Sequence, residues 1–180
     1  MDAGNDQLHE QYLIINNVQK PKNIRNMLLS AGAFGVVEVL VIGQRTSFES
    51  VIADPMLTSL LEAMTITKLP NLTQCREYLK VRDVTIVGIE ILYDAKSIND
   101  DPFHGSMAFI MGNEGSGLSE AQVAICDEFM YIPQYGGGTA SLNVTVAASI
   151  IMQTFALWAQ YPKTPIVGSH FVHVKTDVSY

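Results

Sequence analysis

Two polar, glycine-bearing segments hold the residues of this sequence best suited to chemistry. The first is Gly112-Asn113-Glu114-Gly115-Ser116-Gly117-Leu118, which follows an apolar run ending at Met111. The second is Ser141-Leu142-Asn143-Val144, which follows Ile132-Pro133 and the glycines Gly136, Gly137 and Gly138. In each, the chain leaves a strand-like run, loops, and enters a helical pattern. Loops of this kind put backbone N–H and C=O groups within reach of a small ligand. The glycines of the first loop stand at intervals of three and two, so the dinucleotide pattern GxGxxG does not fit. No Lys-Ser or Lys-Thr pair follows its last glycine, as a nucleoside-triphosphate loop requires. Glu114 would repel phosphate, so the loop suits a neutral or cationic ligand; a tight turn in which Glu114 caps a helix is the alternative. Ser141 or Asn143 could be simple N-caps of a long helix, but capping does not account for the whole run from Ile132-Pro133 onward. Residues 109–148 therefore read as a ligand pocket around which the chain is organised.

The elements that must position these loops alternate between strand and helix. Residues 12–18 (YLIINNV) read as a strand, and Pro21 stands where a helix can begin. Ile24, Met27, Leu28, Ala31 and Phe34 then recur at helical spacing, Gly35 ends the helix, and residues 36–42 read as a strand buried on both faces. Strand–helix–strand is the mark of a parallel sheet with helices packed on it. Residues 44–54 read as a polar connection, 55–64 as a helix, 66–69 as a short strand and 72–81 as a helix with Asn71 or Thr73 as cap. A buried-type strand over 84–91, an irregular segment over 93–106 and a strand over 107–111 lead to the first loop. Ser119 caps a short helix over 120–125, residues 129–132 form a strand, and 142–160 form the longest helix. Domain boundaries follow: a flexible lead-in over 1–11, one domain over 12–161, and a weakly patterned tail over 162–180.

Bulk properties exclude several classes. At 180 residues and 48% apolar, with a mean hydropathy of +0.19, the chain can fill one sizeable core. No apolar run reaches membrane-spanning length, and the acidic, polar N-terminus is neither a signal nor a transit peptide. Cys75 and Cys126 follow no metal spacing and read as reduced thiols in a cytoplasmic or nuclear protein. His170 and His173 lack a third ligand, so no metal site is expected. A net charge of −7 disfavours nucleic-acid binding over the whole surface. It leaves room for a local patch. Lys20, Lys22 and Arg25 form the densest cationic cluster, readable as a patch or as solvated helix-start charges.

With these segments in order, the sequence resembles the SpoU family of RNA 2'-O-ribose methyltransferases in the SPOUT superfamily. The middle motif, a strand and a Gly-x-Glu-x-x-Gly loop, is matched by Gly112 to Leu118. The last motif is matched by Ile132-Pro133 and Ser141-Leu142-Asn143-Val144-Thr145-Val146-Ala147, and the first by Asn23 with Ser30-Ala31-Gly32-Ala33-Phe34-Gly35. The resemblance implies an α/β fold, a parallel sheet flanked by helices with a C-terminal deep trefoil knot, an exception to the rule against knots. It implies S-adenosyl-L-methionine as cofactor, held at Ile89, Glu90, Gly112, Asn113, Glu114, Gly117, Ile132, Leu142 and Asn143. It implies in-line methyl transfer to a ribose 2'-oxygen of tRNA or rRNA, with Asn23, Glu114, Ser141 and Asn143 positioning the reacting groups. It also implies a homodimer with the RNA site across the subunit boundary, and no metal. The length leaves no room for an added RNA-binding domain, so an acidic bare dimer would use a basic groove and a helper protein.

One position departs from the family. The first motif places an arginine six residues after its asparagine, and here that residue is Leu29. Leucine can neither move a proton nor bind phosphate. Arg25 is the candidate stand-in, one helical turn earlier, although helical side chains lean toward the N-terminus and away from position 29. The alternative to an active enzyme is a catalytically lapsed member of the fold, acting as an RNA- or protein-binding subunit.

Overall fold

The computed structural model describes residues 8–43, 46–113, 115–137 and 141–164. Among these, seven strands form one sheet: β1 (Gln11–Asn16), β2 (Glu38–Ile42), β3 (Thr65–Leu69), β4 (Val84–Ile89), β5 (Lys96–Ser97), β6 (Ser106–Met111) and β7 (Glu128–Tyr131). Their order is β3-β2-β1-β6-β4-β7-β5, and every pairing is parallel. The helices are α1 (Pro21–Ala33), α2 (Thr46–Ile52), α3 (Thr58–Glu62), α4 (Leu72–Lys80), α5 (Glu120–Val123) and α6 (Val144–Trp158).

The central strands are apolar on both faces because both are covered. Alternate residues of β1 serve different cores. Leu13 and Ile15 join Val39, Val41, Val87 and Phe109 under α1, α2 and α6. Tyr12 and Ile14 join Leu40, Ile86 and Ile110 under α4, which contributes Cys75 and Leu79. Helix α1 buries Ile24, Met27, Leu28 and Ala31, and its Ser30 hydroxyl hydrogen-bonds the Ser149 hydroxyl of α6 at 2.8 Å. Helix α6 buries Phe155 edge-on to both Phe103 and Phe109, with ring centroids 5.6 Å apart in each case. No helix among the described residues is long and apolar enough to cross a membrane.

The caps are local and follow their residues. The Asn71 side chain accepts from the Gln74 backbone N–H at 2.9 Å. Ser119 and Gln122 form a reciprocal capping box at α5. Several boundaries differ from the sequence-based expectation. Residues 44–54 contain α2, because Phe48 and Val51 share a helical face and are buried; the polar residues between them dilute that period. The helix expected over 55–64 is a 3-10 turn, Pro55–Leu57, followed by the shorter α3. The irregular segment over 93–106 contains β5, whose two residues pair with β7. Ordered structure also begins before residue 12. Gln11 is fully buried in β1, the His9 ring stacks on Trp158 at 5.1 Å, and Tyr161 donates to the His9 carbonyl at 2.8 Å. His170 and His173 lie outside the described residues.

Candidate functional site

Both glycine-bearing loops open at the carboxyl edge of the sheet, where β1, β6, β4 and β7 end side by side. The chain runs outward from β1 through β2 to β3, then crosses to β4 on the other side, reaches the far edge at β5, returns to place β6 between β1 and β4, and places β7 between β4 and β5. Such a switch in direction leaves a crevice at the strand ends, the usual ligand position in open parallel sheets. A cleft of about 250 Å³ occupies it here. Its walls come from four separate segments: Ile89, Glu90 and Ile91 at the end of β4; Met111, Gly112, Asn113, Gly115 and Gly117 at the end of β6; Tyr131, Ile132 and Gln134 at the end of β7; and Ser141, Leu142, Val144 and Ala147 at the start of α6.

The first loop closes on itself. The Asn113 N–H donates to the Gly117 carbonyl at 2.8 Å, and the Gly117 N–H donates back to the Asn113 carbonyl at 2.9 Å. The Asn113 side chain accepts from the Gly115 N–H at 3.0 Å and donates to the Asn17 carbonyl at 3.3 Å, tying this loop to the end of β1. Gly117 sits at φ +68°, a left-handed conformation that favours glycine. The Glu90 carboxylate lies against the turn and accepts from the Leu118 N–H at 3.2 Å and the Ile91 N–H at 3.1 Å. A Cβ on Gly112 would stand 2.7 Å from both the Glu90 carboxylate and the Gly117 carbonyl carbon. The turn thus has room for glycine alone at that position.

A second cleft, of about 340 Å³, adjoins the first. The two share Gly112, Asn113, Gly115 and Val144 as a common wall. The far side of the second is formed by Asn17, Gln19, Lys20 and Asn23, where the chain leaves β1 and enters α1. Asn23 is 7% exposed. Paired clefts with one shared wall can hold a donor and an acceptor with their reacting atoms facing each other.

Most of the expected site residues meet here. Ile89, Glu90, Gly112, Asn113, Gly117, Ile132, Ser141 and Leu142 line the first cleft, and Asn23 lines the second. Glu114 lies outside the described residues. Arg25 lines neither cleft. Its guanidinium is 3.1 Å from the Asp54 carboxylate, which anchors α1 to the segment after α2. Leu29 is 39% exposed and also lines neither. Asn143 is the N-cap of α6, its side-chain oxygen accepting from the Thr145 N–H at 2.9 Å and the Thr145 hydroxyl at 2.5 Å. Asn143→Ala should therefore cost about 1 kcal/mol of stability in thermal or urea unfolding, while Asn143→Ser retains the cap. Loss of ligand affinity in the alanine variant alone would then report capping, and loss in both would report direct contact.

The sequence reading missed Met111, Tyr131 and Gln134 on the first cleft and Asn17 and Gln19 on the second, which Lys20 of the cationic cluster also lines. A usable signal was the Asn16-Asn17 step at the end of β1, where Asn17 adopts φ +59°. Chain reversals at the carboxyl ends of parallel strands are where such sites form. Neither cysteine offers a nucleophile. Burial, with Glu38 nearby, pushes the Cys75 thiol up to about 12; burial, with Asp127 adjacent, pushes Cys126 up to about 12. Among the described residues, no three His, Cys, Asp or Glu side chains are grouped to hold a metal ion.

Comparison with known proteins agrees with this architecture. Residues 10–153 match the model of the SpoU rRNA Methylase family. The 23S rRNA (guanosine-2'-O-)-methyltransferase RlmB of Yersinia pestis is 32% identical over 145 residues, covering 78% of this chain and 56% of that protein. RlmB of Escherichia coli K12 is 31% identical over 145 residues, covering 78% and 57%. Among solved structures, the SpoU methyltransferase AviRb from Streptomyces viridochromogenes in complex with AdoMet superposes with a TM-score of 0.71 at 23% identity, covering 87% of this chain and 60% of that one. The TrmH/SpoU tRNA modifying enzyme of A. aeolicus gives 0.67 at 22%, covering 84% and 75%. The fold, a parallel sheet flanked by helices, is the one these solved SpoU structures have. The chain belongs to the SpoU rRNA methylase family. It spans a little over half the length of the curated relatives it matches.

Proposed function

We propose that this chain is an S-adenosyl-L-methionine-dependent RNA 2'-O-ribose methyltransferase acting on tRNA or rRNA. The observation that carries this reading is the pair of clefts divided by Gly112, Asn113, Gly115 and Val144. The donor set of the first cleft fits the cofactor. Ile89, Ile132 and Leu142 offer apolar walls, Glu90 offers a carboxylate, and no lysine or arginine lines it among the described residues. That suits a ligand carrying a sulfonium and no phosphate. The second cleft, with amide side chains from Asn17, Gln19 and Asn23, suits a ribose and its hydroxyls.

When bound, the cofactor would supply an activated methyl group, carried on a sulfonium, to a ribose 2'-oxygen. The work of the chain is placement. The closed turn from Asn113 to Gly117 fixes the shared wall, and Glu90 holds that turn from beneath. Asn23, Glu114, Ser141 and Asn143 are the positioning residues of this reading, with Asn143 acting in part through the start of α6. The trefoil knot belongs to the same reading, as the threading of the chain that brings residues 141–147 back against the loop after β6. So does a homodimer, supported by the exposed apolar residues Val146 and Leu157 on α6 and Leu29 on α1. A cytoplasmic location and a helper protein for RNA delivery complete it.

The test is calorimetric titration with S-adenosylmethionine, followed by methyl transfer to unmodified tRNA and rRNA transcripts and mapping of the product. Binding and 2'-O-methylation are expected. Cofactor binding without transfer on any transcript, unchanged by Leu29→Arg, would instead identify a lapsed, binding member of the fold.

A further inference from the structure

We propose that Lys20 is the cation that grips the RNA phosphate next to the reacting ribose, taking the place left open by Leu29. This rests on the reading of the chain as an RNA 2'-O-methyltransferase. A ribose whose 2'-oxygen faces the shared wall carries its phosphates within a few ångströms, and a phosphate so placed calls for a positive side chain. Position 29 is leucine, and Arg25 is committed to Asp54 at 3.1 Å. Of the lysines and arginines among the described residues, Lys20 alone lines either cleft.

Its backbone is well fixed. Lys20 occupies the N-cap position of α1, and its carbonyl accepts from the Asn23 N–H at 2.9 Å and the Ile24 N–H at 3.2 Å. The same turn therefore sets Lys20 and Asn23 along one cleft. Helix α1 has no acidic residue in its first turn and no side-chain cap, so its positive end adds to the field there. With a net charge of −7, the chain as a whole repels RNA, and a single cation inside the cleft weighs heavily in where the backbone settles. Lysine binds phosphate as a mobile point charge, without the planar fork of arginine. The grip should be less directional than an arginine would give at position 29.

The experiment uses the full chain with a pool of unmodified tRNA and rRNA transcripts as probe. Lys20→Gln is expected to raise KM for RNA about tenfold and to lower the slope of log affinity against log salt by about one. Affinity for S-adenosylmethionine and the unfolding midpoint should stay at wild-type values, and Lys20→Arg should retain RNA affinity. Lys80→Gln removes the same charge from α4, away from both clefts, and should change neither quantity. A Lys20→Gln protein with wild-type KM and salt slope overturns the assignment while leaving the methyltransferase reading in place. If the unaltered chain binds RNA without transfer, the methyltransferase reading fails and the salt slope alone decides Lys20. A chain that binds no RNA overturns both.

Discussion

Gly112→Val is expected to abolish cofactor binding and to lower methyl transfer by at least about 100-fold. The reason is steric rather than conformational. A side chain at 112 would meet the Gly117 carbonyl carbon at 2.7 Å and the Leu118 nitrogen at 2.8 Å, both backbone atoms of the turn that divides the clefts. Those atoms cannot step aside singly, because Asn113 and Gly117 are joined by two reciprocal backbone hydrogen bonds. The turn would open, and Glu90 would lose its contact with the Leu118 N–H. Overpacking of this kind also costs about 1–3 kcal/mol of stability, so the variant should be measured below its unfolding midpoint. Gly137→Ala is the control. A Cβ there meets nothing within 4 Å, and titration should show unchanged affinity. Equal affinities for the two variants would refute the steric role assigned to Gly112.

Phe155→Ala should destabilise the fold by about 3–5 kcal/mol. Phe155 is fully buried and meets Phe103, Phe109, Trp158 and Tyr161 through ring contacts. Removing the ring leaves a cavity among rigid aromatic neighbours that cannot collapse into it, and also forfeits edge-to-face contacts. In urea the midpoint should fall with the slope unchanged. A scan should show melting lowered by about 10 °C. Because α6 also carries Val144 and Ala147 into the first cleft, cofactor should partly restore the melting temperature by mass action. A loss below about 1 kcal/mol would mean that the aromatic cluster is not the packing centre of this face.

Much of the secondary structure was legible in the residues because its causes are local. Two-sided apolar runs marked β1, β2, β4 and β6, and Asn71 and Ser119 announced the helices that they cap. Helix α2 escaped because only Phe48 and Val51 mark its buried face, too few for a period to emerge. Strand β5 escaped because Lys96 and Ser97 form a strand only through β7, which adds a ladder and no sequence pattern. At the site, Asn143 read both as a cap and as a ligand contact, and the structure shows it capping α6. Arg25 looked like a stand-in for the missing arginine and is held by Asp54. Lys20 read better as a solvated helix-start charge than as part of a binding patch, and it lines the second cleft.

By itself the sequence determined the two loops, the strands and helices that bracket them, and the family to which three spaced motifs belong. These depend on periodicity, capping and glycine placement over a few residues. Only the tertiary structure decided which loop residues meet. The order β1-β6-β4-β7 sets Asn17, Glu90, Gly112 and Ile132, each from the end of a different strand, at one edge of the sheet. Strand order follows from how two apolar faces are shared among helices distant in the chain, and no local spacing records it. The same packing separates Gly112, pressed against another turn of backbone, from Gly137, which faces open space.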